Sequence, residues 1–204
     1  MELSTKCRRL LGVLSLGLFS LATGIPAYAG NGNEAGNNKA AGFSAPRSFA
    51  WTKDRKLTWD DFRGPVRSGG RIVAETACGI GFETNEVKPG MQPKIFVYNT
   101  FETGTSWVSP GDATVEVLQH EQSHFDICEL YTRKLRERFS NALINAHNMQ
   151  SVIRSIYEST EREYAARQQQ YEDQTHHGII AAEQQRWTEM INRELAATEQ
   201  WMAD

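Results

Sequence analysis

The chain is poor in cysteine, with three in all, and its second half is almost free of helix breakers: no proline follows Pro110, and only Gly178 follows Gly111. Three thiols cannot build the framework of a small disulfide-stapled fold. No apolar run approaches the ~20 residues that span a bilayer; residues 10–22 come nearest and are interrupted by Gly and Ser. Positive charge is not in excess either. The formal net charge is -3, and without residues 1–29, which hold Lys6, Arg8, Arg9 and Glu2, it falls to -5. An acidic body is a poor general binder of nucleic acid or of an anionic membrane, so neither is expected as a partner.

What remains is ordinary globular material: 204 residues, 40% hydrophobic and 23% charged, enough for one domain with its own core. Lys6, Arg8 and Arg9 precede the apolar run, and Pro26 leads into Ala27-Tyr28-Ala29, a small-x-small cleavage pattern. Residues 1–29 therefore read as a signal peptide cut after Ala29, which sends the protein to the periplasm or beyond the cell. Residues 30–46 are Gly, Asn and Ala with almost no large apolar side chain, and they read as a flexible leader. The working domain is expected over 47–204. In an oxidising compartment Cys78 and Cys128 could be bridged, but spacing alone does not decide it.

Residues 47–108 are short and turn-punctuated, with β-formers at 72–82 and 95–101, and are expected to form a small antiparallel or mixed sheet. Alternation along 95–101 suits either an edge strand able to align an extended peptide or an interior strand. Residues 109–204 repeat their apolar positions at three and four, which predicts three helices and an α+β domain. Ser109-Pro110-Gly111-Asp112 offers an N-cap, a proline at the first helical position and an acid at N3, so the first helix is expected from there to about Ser140. A second is expected over 149–170, and a third with Ile180, Trp187, Ile191 and Leu195 on one stripe. The aromatic rings of Trp59, Trp107 and Trp187 are read as core, and the basic stretch 132–138 as a solvated helix end, where cations suit the dipole.

The chemistry lies in His120-Glu121-Gln122-Ser123-His124. Residues four apart stand one above the other on a helix, so two imidazoles can reach one ion while Glu121, turned by about 100°, stands beside it. That is the His-Glu-x-x-His arrangement of zinc sites. A catalytic zinc normally takes three protein ligands and water, so a third is required. Asp126, Cys128 and Glu129 lie on other faces or too far along the helix, and His147 falls near its far end. A second helix packed antiparallel on the first returns the chain to the level of His120 just before Tyr171-Glu172-Asp173-Gln174-Thr175-His176-His177-Gly178, and the missing ligand is expected among these eight.

These residues resemble a bacterial family of predicted secreted zinc-dependent proteases. The likeness runs from Leu57-Thr58-Trp59-Asp60-Asp61-Phe62-Arg63-Gly64 through Ser106-Trp107-Val108 and the histidine motif to the late segment. The family's late motif, Tyr-Asp-x-x-Thr-x-His-Gly, falls on Tyr171, Thr175, His177 and Gly178, with Glu172 standing where Asp is usual. The resemblance implies a zincin-like metallopeptidase domain with Zn2+ held by His120, His124 and His177, with His176 the rival for the third place. It further implies a peptide or protein substrate; with such a ligand set Glu121 is expected as general base, and by position alone Tyr171 or His176 as the donor to the developing oxyanion. A zinc amidase acting on cell-wall peptides would use the same residues. A noncatalytic zinc-stabilised binding module would have no use for Glu121.

Overall fold

The computed structural model describes residues 8–9, 47–67, 72–85 and 91–203. Apart from Arg8–Arg9, the expected signal peptide and leader lie outside the described residues. The architecture is α+β: short strands β1 (Arg8–Arg9), β2 (Ser48–Phe49), β3 (Ala74–Glu75), β4 (Ala77–Thr84), β5 (Ile95–Glu102) and β6 (Trp107–Val108) precede helices α1 (Val115–Asn141), α2 (Met149–Thr175) and α3 (Ala181–Ala197). β4 and β5 form an antiparallel pair at the centre of a sheet ordered β1-β4-β5-β2, with Cys78 opposite Phe101 and Thr84 opposite Ile95. β3 and β6 make a separate two-stranded ladder.

Side chains alternate across a strand, so Val97, Asn99 and Phe101 face inward while Phe96 and Tyr98 face out. β5 lies between β4 and β2, but β2 pairs only with its last two residues, Phe101 and Glu102, so that over 95–100 its strand partner among the described residues is β4 alone. The strand expected over 72–82 divides at Thr76, whose hydroxyl donates to the Glu121 carbonyl at 3.4 Å and so ties the break to α1.

The first helix begins later than its sequence suggested. Ser109–Asp112 closes a turn, with Asp112 N–H donating to Ser109 O at 2.9 Å, and Thr114 is the N-cap, its hydroxyl accepting from Val117 N–H at 3.3 Å. Pro and Gly at the two central positions of a four-residue stretch suit a β-turn as well as a helix start, and Thr114 supplies a good cap further on. α2 runs on to Thr175, beyond the expected 170. Its last turns, rich in Gln, show no apolar stripe: Tyr171 joins the core there, while Gln168 and Glu172 are buried against polar partners.

α1 lies across the sheet, and both α2 and α3 pack on it. Trp107 and Trp187 are fully buried and Trp59 borders the same core, as read; Ile180 instead caps α3 at the surface. Cys78 and Cys128 are buried and not joined by a disulfide, and Cys78 Sγ lies 3.4 Å from the Tyr164 hydroxyl. The basic stretch 132–138 is not a simple solvated end. Arg133 is buried, with Nε on Glu129 Oε1 and a terminal nitrogen on Leu195 O, both at 2.7 Å. Arg136 reaches Val97 O and Trp201 O. With elements packed on both sides of α1, these cations satisfy carbonyls at the end of α3 and on β5 instead of reaching water. Arg133→Met leaves Glu129 buried without its closest cation and is expected to cost about 3 kcal/mol in denaturant unfolding; a loss under about 0.5 kcal/mol would show that Arg136 alone suffices.

Candidate metal centre

The helical register turns His120, Glu121 and His124 inward together, all fully buried. α2 returns antiparallel, since Thr160 meets Arg138, Gln168 meets His124 and Tyr171 meets His120. This brings Glu172 opposite the histidines. The Nε2 atoms of His120 and His124 are 3.0 Å apart, Glu172 Oε1 lies 3.3 Å from the second and Oε2 lies 3.4 Å from the first. Among the described residues, His120, His124 and Glu172 form the group whose ligand atoms lie within 4.8 Å of one another.

His177 stands next to this group, its Nδ1 2.7 Å from Glu172 Oε2. The backbone that places it there is unusual. His176, His177 and Gly178 have φ of 49°, 59° and 81°, three successive left-handed residues, two of which carry side chains that disfavour this region. The turn is closed by His177 N–H donating to Glu172 O at 3.0 Å and Gly178 N–H to Thr175 Oγ1 at 3.1 Å. A Cβ on Gly178 would come within 3.0 Å of the His120 ring. Gly178→Ala therefore adds left-handed strain of about 1 kcal/mol and presses on a ligand. The expected outcome is a lower melting temperature together with weaker metal binding by titration, and an unchanged metal affinity would separate the turn from the site.

The electrostatics of the two glutamates diverge. Neither carboxylate oxygen of Glu121 has a hydrogen bond of good geometry, and burial pushes it up to about 7, against smaller opposing pulls from His124 and the neighbouring Thr76. Burial would raise Glu172 as well, but the charge of His124 and hydrogen bonds with His120 and His124 outweigh it and hold its carboxyl well below the usual range. Desolvation lowers the pKa of His120. A carboxylate and two imidazole nitrogens thus converge on one buried corner. Such a corner calls for a positive charge, and two imidazoles with a carboxylate are a common donor set for zinc. The residues present fit a divalent cation.

Of the residues named from sequence, the structure brings together His120 and His124 and sets Glu121 on the same buried turn of α1. It does not place His177 in the three-residue group, where Glu172 stands instead. His176 is exposed at the C-terminus of α2, and His147 is exposed in the turn before that helix. Tyr171 is in the site, but its hydroxyl is 2.7 Å from Gln184 Oε1 and 3.2 Å from His120 O, and its ring stacks on that of His120 at 4.7 Å. The single hydroxyl proton of Tyr171, expected to serve a developing oxyanion, is directed in this structure at these two acceptors. Glu172 was within reach of the sequence argument, as a carboxylate inside the eight-residue segment. Gln168 and Gln184, which meet the Nδ1 atoms of His124 and His120 at 2.6 and 3.0 Å, carried no signal.

No curated protein and no solved structure shows a match to the chain. Residues 100–178 match the family described as bacterial protein of unknown function (DUF922), a span that runs from within β5 to the turn after α2 and contains the whole His120, His124 and Glu172 group.

Proposed function

We propose that the chain is an exported zinc-dependent peptidase of the zincin type, hydrolysing peptide bonds with Glu121 as general base. The observation that supports this most directly is a buried carboxylate, Glu121, with both oxygens unpartnered, one residue along from an imidazole of a three-residue metal-ligand group. A site built only to stabilise the fold has no use for such a group, and leaving it unpaired is costly.

His120, His124 and Glu172 would hold the ion, and His177 would fasten Glu172 from the other side. When bound, zinc lowers the pKa of water toward ~7 and polarises a carbonyl. Glu121 accepts the proton from the attacking water and delivers it to the departing amine. A carboxylate whose pKa is raised toward neutrality suits both halves of that transfer, being basic enough to take the proton and acidic enough to release it. Burial excludes bulk water from the exchange. Export follows from residues 1–29, and among the described residues no helix is long and apolar enough to cross a membrane.

The test is metal content and digestion on the full chain purified from the cell envelope or medium. One zinc per chain is expected, with casein cleavage abolished by a chelator and restored by zinc; peptidoglycan peptides serve as a parallel substrate. Absence of bound metal, or cleavage indifferent to the chelator, overturns the proposal.

A further inference from the structure

Two amide side chains decide which nitrogen of each histidine faces the corner. Gln168 Nε2 donates to the backbone carbonyl of His124 at 3.0 Å. A carbonyl only accepts, so this contact fixes the amide, and Gln168 Oε1 is the atom turned to His124 Nδ1, 2.6 Å away. That ring nitrogen must carry the proton.

The same logic runs through a longer chain at His120. Ser123 Oγ donates to Gln119 O at 3.1 Å and Thr188 Oγ1 to Gln184 O at 2.9 Å, so both hydroxyl protons are spent on carbonyls and both oxygens are left as acceptors. Gln184 Nε2 donates to them, at 3.2 and 3.5 Å. Its Oε1 then points the other way, where it accepts from Tyr171 O–H at 2.7 Å and stands 3.0 Å from His120 Nδ1. Both lone pairs of that oxygen are engaged, and Gln184 is nearly closed from solvent. His120 Nδ1 must carry a proton as well.

We infer that Gln168 and Gln184 are positioning residues: each takes its orientation from backbone carbonyls and passes it to one imidazole, so that His120 and His124 turn their Nε2 atoms onto the shared corner. The two Nε2 atoms lie 3.0 Å apart, and each faces one oxygen of Glu172. An amide acceptor also differs from a carboxylate in the same place. It orients the ring without adding negative charge, so the imidazole is less basic and a bound cation keeps more of its positive charge. Tyr171 joins the device by filling the second lone pair of Gln184 and stacking on the ring it orients.

This rests on the metal reading above for its purpose, but its first test needs no metal. In the metal-free full chain, ring-nitrogen NMR is expected to show a proton on Nδ1 of both His120 and His124. Gln184→Met, which keeps volume and removes the acceptor, should lose that preference at His120 and leave His124 unchanged; Gln184→Glu, which restores an acceptor, should recover it. Gln168→Met should do the reverse. In zinc titration each Met variant is expected to weaken binding by about 10–100-fold, with Glu at 184 recovering affinity. If the protonation pattern holds but wild-type protein takes up no zinc, the metal reading fails and the orienting role stands. If the Met variants keep both Nδ1 protons, or if the wild type carries them on Nε2, the inference is overturned.

Discussion

Glu121→Gln is expected to keep its zinc, to lose hydrolysis by about 10²–10⁴-fold, and to gain stability once the metal is removed. The last effect follows from burial. The folded-state pKa of Glu121 is pushed up to about 7 from an ordinary value of 4.5, chiefly by desolvation. A raised carboxyl pKa means that the native state binds the proton more tightly than the unfolded chain does. In the metal-free protein stability should therefore be highest below about pH 4.5 and fall as pH climbs toward 7, by about 3 kcal/mol in all at 1.36 kcal/mol per pH unit. Gln at this position cannot ionise, so the variant should be more stable than wild type at pH 8 by about that amount, the gap closing toward pH 4. Urea unfolding of chelator-treated proteins across this range reads the difference directly. A gap that does not change with pH, or full peptidase activity in the variant, would remove Glu121 from the role of buried base.

The second large effect separates the two candidates for the third ligand. Glu172→Ala removes the carboxylate that lies 3.3 and 3.4 Å from the two Nε2 atoms, and zinc affinity is expected to fall by more than about 100-fold, beyond the 10–100-fold typical of a residue that only orients a ligand. His177→Ala deletes the imidazole that holds Glu172 at 2.7 Å and should fall within that smaller range. Competition against a chelating dye measures both. The reverse ranking would return His177 to the ligand set, as the sequence resemblance implied, and make Glu172 its support.

Much of the site was legible because it is local. His120, Glu121 and His124 lie within one and a half turns, and helical periodicity alone puts two imidazoles on one side with the carboxylate next to them. Elimination along the helix axis led to 171–178, and the third member of the group is there, yet resemblance favoured a histidine where the structure has Glu172. The difference lies in the end of α2. The helix continues to Thr175, so Glu172 still points in helical register toward α1, whereas His177 lies within the left-handed turn and meets Glu172 through Nδ1. A shift of five residues in one helix end changes which side chain joins the two imidazoles. Nothing local announces where a Gln-rich helix stops.

Sequence by itself determined the α+β order of elements, the histidine motif and the segment that answers it, since each depends on residues close along the chain or on a helix length. Tertiary structure decided the rest. It paired the end of β5 with β2, buried Arg133 against Leu195 O, and set Gln168 and Gln184 against the two rings. Those contacts join positions tens of residues apart, where burial removes water as an alternative partner and each polar atom must pair with whatever the packing brings to it.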